Sequence, residues 1–200
     1  MIDLTKINYV PFHLANLSLI QNEVASVYRQ FIDDAAELTA TPVEWSTTNL
    51  PITRNTINNH LEKLGATVTR ARLFLTLPNS TMAAHIDGNN VNDTYWALNI
   101  PIEVEETNHW HEWYNYQGEL LSSNNLTYTD YIRPASPDQL TVSDRLCFTT
   151  AHLVKVGTFH GVVNQTNYKR VMLSIRFNTP SIEFMLTIAQ KACKITSNIL

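Results

Sequence analysis

Apolar residues recur at helical spacing before residue 65 and in strand-like alternation after it. Ile20, Val24, Val27 and Phe31 form one stripe, with Ser18 and Gln21 at capping-box spacing ahead of it. The pattern predicts an amphipathic helix ending near Glu37. Ile57, Leu61 and Leu64 predict a shorter helix from about Arg54 to Leu64, stopped by Gly65. Short β-branched and aromatic runs follow, cut by turn chemistry. They predict strands over Thr67–Leu77, Met82–Asp87, Tyr95–Val104, His109–Tyr116, Leu140–Val142, Leu146–Thr149, Leu153–Val163 and Arg170–Phe177. Turns are predicted at Pro78 to Ser80, Gly88 to Asn90, Ser122 to Asn125, Pro134 to Asp138, Ser143 to Arg145 and Gln165 to Asn167.

Eight such strands fit a jelly roll, so the fold class expected is mainly β, with helices at both ends. Ile182, Met185, Leu186 and Ala189 return to helical spacing beyond Pro180. They predict a C-terminal helix that closes the barrel's outside or pairs with a second copy as a homodimer. One domain is expected over 1–200, divided into helical support (1–65), a β core (66–178) and the closing helix (179–200).

Composition narrows the function classes. With 44% hydrophobic residues there is material for one sizeable core. The formal net charge of −4, with no run of like charges, disfavours nucleic acid and anionic membrane as partners. Met1 to Val10 lacks the cationic start of a secretory signal and no window is apolar enough to span a membrane, so a cytoplasmic location is expected. Cys147 and Cys193 fit no metal-binding spacing and are read as reduced thiols.

Candidate chemistry begins at His85-Ile86-Asp87. On a strand this spacing points an imidazole and a carboxylate to the same side. His160 lies in a distant apolar stretch, Gly157 to Asn164, and supplies a third ligand. Two neutral imidazoles and one carboxylate suit iron(II), because a facial set leaves adjacent coordination positions open to a bidentate co-substrate and dioxygen. In the last strand alternation puts Arg170, Met172, Ser174 and Arg176 on one face. A guanidinium pointing into a barrel is costly unless an anion meets it, and its planar fork suits a carboxylate.

His85-x-Asp87, His160, and Arg170 ten residues later together resemble the signature of the iron(II)- and 2-oxoglutarate-dependent oxygenases. Leu98 to Ile102 and Phe159 to Asn164 are similar to the small aspartyl/asparaginyl hydroxylase-like members and their phage-type relatives. The resemblance covers about residues 67 to 178. It implies a distorted double-stranded β-helix, that is, a cupin-like barrel, with Fe(II) on His85, Asp87 and His160. It also implies 2-oxoglutarate gripped by Arg170, and dioxygen-dependent hydroxylation of a peptide or small-molecule substrate with release of succinate and carbon dioxide. The Arg-x-Ser pair usual there reads Arg170-Val171-Met172, leaving Ser174 as the substitute second anchor. Tyr95 and Asn99 share a strand face by alternation and are further candidates to contact the co-substrate.

Several alternatives stay open. His109, His111 and Glu112 form a rival cluster, read as a strand whose aromatic neighbours pack or line the substrate entrance. His152 is the alternative distal ligand, sharing His160's face if one strand holds both; Arg176 and Arg72 are the alternative anion anchors. A cupin-like metal enzyme without 2-oxoglutarate and a non-enzymatic binding module are the alternative functions.

Overall fold

The computed structural model describes residues 7–14, 16–47, 49–63, 65–88, 95–125 and 129–178. The expected C-terminal helix, Leu64 and Cys193 lie outside them. Among the described residues, twelve strands form two six-stranded sheets in which every pairing is antiparallel. The first runs β1 (Tyr9–Pro11), β10 (His152–Lys155), β5 (Trp96–Glu103), β12 (Arg170–Phe177), β3 (Val68–Thr76) and β2 (Thr39–Val43). The second runs β7 (Leu120–Asn125), β8 (Thr129–Pro134), β4 (Ser80–Asp87), β11 (His160–Asn164), β6 (His109–Asn115) and β9 (Thr141–Leu146). This is the jelly roll expected, cupin-like in outline. No helix among the described residues is long and apolar enough to cross a membrane.

The first sheet is covered on its outer side by α1 (Leu17–Val27), α2 (Arg29–Asp34) and α3 (Pro51–Glu62). Ile20, Val24, Ile57 and Leu61 bury against Leu73, Leu75, Leu98, Ile100, Leu173 and Ile175 in one cluster. β12 is therefore buried along its whole length. Its Val171, Leu173, Ile175 and Phe177 join the helix-side core, while Arg170, Met172, Ser174 and Arg176 line a cavity on the other side, as alternation requires. Helix α3 starts at Pro51 with no capping side chain of its own. Glu23 of α1 supplies the missing acceptor, taking the Ile52 and Thr53 backbone N–H groups at 2.9 and 2.7 Å.

Local pattern misplaced several elements. The first helix does not run unbroken to Glu37: Tyr28 (φ −103°, ψ 17°) separates α1 from α2 and rotates the apolar stripe, so that Ile32 is buried and Val27 exposed. Ser18 lies inside α1 rather than capping it, and Gln21 donates to the Pro101 carbonyl at 2.9 Å. The expected turns at Ser122 to Asn125 and Ser143 to Arg145 are strand, within β7 and β9, and the separate strands Leu140–Val142 and Leu146–Thr149 are replaced by β9. β1, β2, β7 and β8 carry too little alternation of their own to be read locally; pairing with a longer neighbour makes each a strand.

The expected strand Leu153–Val163 is two strands in different sheets, β10 and β11, joined by residues 156–159. The Val156 and Gly157 N–H groups both reach the Tyr95 carbonyl, and the Val156 carbonyl accepts from Asp87 N–H, so the chain crosses between sheets beside Asp87. A second crossing is fixed by fully buried Asn164. Its amide donates to the carbonyls of Leu77 and Tyr168, both at 2.9 Å, and its oxygen accepts from Thr166. This clamps the turn that carries the chain from β11 to β12, and hence from His160 to Arg170.

Candidate metal centre and anion pocket

Between the two sheets lies a cavity of about 420 Å³. The second sheet contributes a cross-strand row: His160 of β11 pairs with His85 of β4 on one side and with Trp113 of β6 on the other. The His85 and His160 rings lie 4.5 Å apart between centroids. Each Nδ1–H donates to the backbone carbonyl two residues back, His85 to Ala83 and His160 to Thr158, both at 2.9 Å. Such a bond fixes the tautomer and leaves Nε2 free to ligate. Asp87 Oδ1 is 3.4 Å from His85 Nε2, and one ligand atom from each of His85, Asp87 and His160 lies within 4.8 Å of the others. The three donors expected from the sequence thus converge on one point.

Gly161 makes that convergence possible. The β11–β4 register shifts between His160 and Val162, and a Cβ at Gly161 would sit 2.9 Å from the Met82 carbonyl oxygen. Only a residue without a side chain lets β11 approach β4 this closely beside His160.

The first sheet orients Asp87. Arg176 of β12 crosses the cavity to hydrogen-bond Asp87 Oδ2, the oxygen turned away from His85. The same guanidinium donates to Ser174 Oγ at 2.7 Å, and Ser174 donates to Asn99 Oδ1 at 2.6 Å. Ser174 and Asn99 line the cavity, but the contacts drawn are to each other and to Arg176. Tyr95 precedes β5, its ring 5.9 Å from the Arg176 guanidinium, and is not among the lining residues.

Arg170 is different. It is 3% exposed and lines the cavity beside Met172, and its Nε and Nη2 have no hydrogen-bond partner among protein atoms. The Phe148 ring lies 5.9 Å from its guanidinium carbon. Burial, partly offset by Cys147, pulls Arg170 down to about 10, so it still carries its charge at neutral pH. A buried, charged, unpaired guanidinium facing a cavity has the chemistry of an anion receptor.

Protonation states match ligation. Burial raises Asp87, but the Arg176 charge and the His85 hydrogen bond overcome it and hold the carboxyl well below its usual range. Burial and the neighbouring His85 push His160 down to about 3. Burial also lowers His85, yet the hydrogen bond and charge of Asp87 outweigh it and leave that imidazole raised. Two donors are therefore already deprotonated at neutral pH, and one holds its proton longest.

The alternatives resolve by position. His152 sits on β10 in the first sheet, packed against Tyr9 and Phe148, and donates Nδ1–H to Thr150; it does not share His160's face. His109 meets the Glu105 carbonyl through Nε2 at 2.7 Å. Glu112 accepts from Tyr114 and pairs with Arg145, away from the cavity. His111, grouped in the sequence with His109 and Glu112 as a rival cluster on a strand that packs or lines the substrate entrance, parts from both and lines the cavity beside His160. Alternation put it on one face with His109, but nothing local showed that this residue meets the His85–His160 row.

No family model matches the chain, and no curated protein does. Solved structures do. The non-heme monooxygenase ThoJ in its apo form aligns with TM-score 0.56 at 14% identity, over 89% of this chain and 78% of that one. SnoK, a non-heme alpha-ketoglutarate-dependent carbocyclase from nogalamycin biosynthesis, aligns with TM-score 0.54 at 11% identity, over 84% and 78%. HygX from Streptomyces hygroscopicus, solved with nickel and 2-oxoglutarate bound, aligns with TM-score 0.52 at 9% identity, over 86% and 82%. What they share with this chain is the fold. At such identities site chemistry has to be argued from this chain's own residues.

Proposed function

We propose that this protein is an iron(II)- and 2-oxoglutarate-dependent oxygenase, with His85, Asp87 and His160 as metal ligands and Arg170 as the anchor for the co-substrate's distal carboxylate. One observation carries the reading: a two-histidine, one-carboxylate donor set and an unpartnered buried guanidinium face the same cavity from opposite sheets. The donor set suits iron(II) and leaves positions for a chelating 2-oxo acid and dioxygen. Arg170 is the group that a cupin-like enzyme without such an acid, or a passive binding module, would leave unexplained.

When bound, iron and 2-oxoglutarate would activate dioxygen, the oxidant, so that one oxygen atom enters the substrate C–H bond and the other enters succinate, with carbon dioxide released. The chain's own residues bind and orient. Backbone carbonyls of Ala83 and Thr158 aim the two imidazoles, and Arg176 turns Asp87 so that one oxygen faces the ligand point. The Ser174–Asn99 pair holds Arg176 in that pose rather than serving as the second carboxylate anchor. Leu38, Phe74, Ala84 and Tyr131 also line the cavity and offer a substrate largely apolar surface, and the Tyr131 ring meets His85 edge-on at 6.1 Å. That surface suits a small molecule or a peptide side chain.

The test is anaerobic addition of iron(II) and then 2-oxoglutarate, followed by admission of oxygen. The reading expects a visible charge-transfer band that needs both additions, and succinate formed in proportion to oxygen consumed. Iron binding abolished by His85→Ala, with neither band nor succinate in the unaltered protein, would overturn the oxygenase reading and leave a metal site of another kind.

A further inference from the structure

His111 is a buried histidine whose ring nitrogens are unaccounted for. It is 3% exposed, and neither Nδ1 nor Nε2 has a hydrogen-bond partner among protein atoms. The other buried histidines each have one: His160 and His152 through a carbonyl two residues back, His109 through Glu105. The position of His111 is firmly set. On β6 it pairs with Leu146 of β9 and Val162 of β11, and Val162 pairs in turn with Met82 of β4. Met82, Val162 and His111 form the row next to the metal row, and all three line the cavity. The His111 ring stacks on His160, 5.1 Å between centroids and 2° from parallel, with Trp113 behind it at 4.6 Å. A ring held so tightly cannot turn its nitrogens elsewhere.

His111 and Arg170, each with unsatisfied nitrogens, line one cavity from opposite sheets. An imidazole carries at least one N–H whatever its charge, and a buried donor of this kind calls for an acceptor. We infer that His111 is the second anchor of the 2-oxo acid, donating a hydrogen bond to one of its oxygens while Arg170 holds a carboxylate. The inference rests on the co-substrate reading above. It gives His111 the place for which Ser174 was the substitute candidate, since the Ser174 hydroxyl is already shared between Asn99 and Arg176.

Two substitutions separate the role in binding from the role in packing. His111→Phe keeps a flat ring against His160 and removes the donor; His111→Gln keeps an N–H donor. Each is loaded anaerobically with manganese(II), and 2-oxoglutarate is titrated in by calorimetry, with metal affinity and Tm measured alongside. His111→Phe should bind 2-oxoglutarate about tenfold more weakly, about 1.4 kcal/mol, while His111→Gln stays within about threefold of the unaltered protein and both keep their manganese affinity. Unchanged 2-oxoglutarate affinity in His111→Phe overturns the inference, since the ring then serves only to pack. Parallel loss of metal and 2-oxoglutarate in both variants overturns it too, by making His111 a support for His160. Failure of the unaltered, metal-loaded protein to bind 2-oxoglutarate overturns the co-substrate reading itself, and this inference with it.

Discussion

Replacing Arg170 with Met should make the empty protein more stable and its co-substrate binding far weaker. In the empty cavity the Arg170 charge is buried with two donor atoms unpaired, and burial lowers its pKa from 12.5 to about 10. At about 1.4 kcal/mol per pKa unit, the folded chain carries roughly 3 kcal/mol of desolvation cost to keep that charge. Methionine fills the space of the arginine stem, removes the charge and costs some packing, so a net gain of about 2 kcal/mol is expected. For a chain of this size that corresponds to a rise in Tm of about 4–8 °C. With 2-oxoglutarate present the sign reverses. Losing a buried, two-point carboxylate contact costs about 2–5 kcal/mol, a weakening of at least about 30-fold. The assay is thermal unfolding of metal-loaded protein, with and without 2-oxoglutarate: the unaltered protein should gain stability from the ligand, whereas Arg170→Met should start higher and gain little. A variant that starts lower and gains as much as the unaltered protein would refute both the burial argument and the anchoring role.

Three further outcomes follow from the same geometry. Asp87→Asn should move empty-state stability the opposite way, a loss of about 3–5 kcal/mol read by denaturant unfolding, because it strands the buried Arg176 charge; metal affinity should fall with it. Metal binding should weaken tenfold per pH unit as the pH drops below the raised value of His85, which lies above 6.5, with one proton released per metal. His160, near 3, and Asp87, already ionised, have no proton to give there; calorimetric titrations from pH 6 to 8.5 showing two protons released would contradict this assignment. Gly161→Ala should cost about 1–3 kcal/mol and weaken metal binding, since the new methyl group meets the Met82 carbonyl at the bulge beside His160; a Tm and metal affinity equal to the unaltered protein would show that the strand can give way.

The sequence by itself determined the parts of this protein that depend on two-residue periodicity within one strand. His85 and Asp87 share a side because they are two apart, and Arg170, Met172, Ser174 and Arg176 share one because β12 is a single unbroken strand. The core strands β3, β5, β6 and β12 were legible within a residue or two for the same reason. Tertiary structure decided whatever depends on which strands become neighbours. Whether residues 153–163 were one strand or two, and so whether His152 could stand in for His160, depended on a crossing held by hydrogen bonds to Tyr95. Arg170 and Arg176 look equivalent along β12, yet only Arg176 lies opposite Asp87, leaving Arg170 as the unpartnered one of the two. His111 comes to rest against His160 because β6 pairs with β11, a partnership between segments with a long stretch of chain between them. Local spacing fixes which way a side chain points from its own strand; what it meets there is set by pairing and sheet stacking, and those depend on contacts distant in the chain.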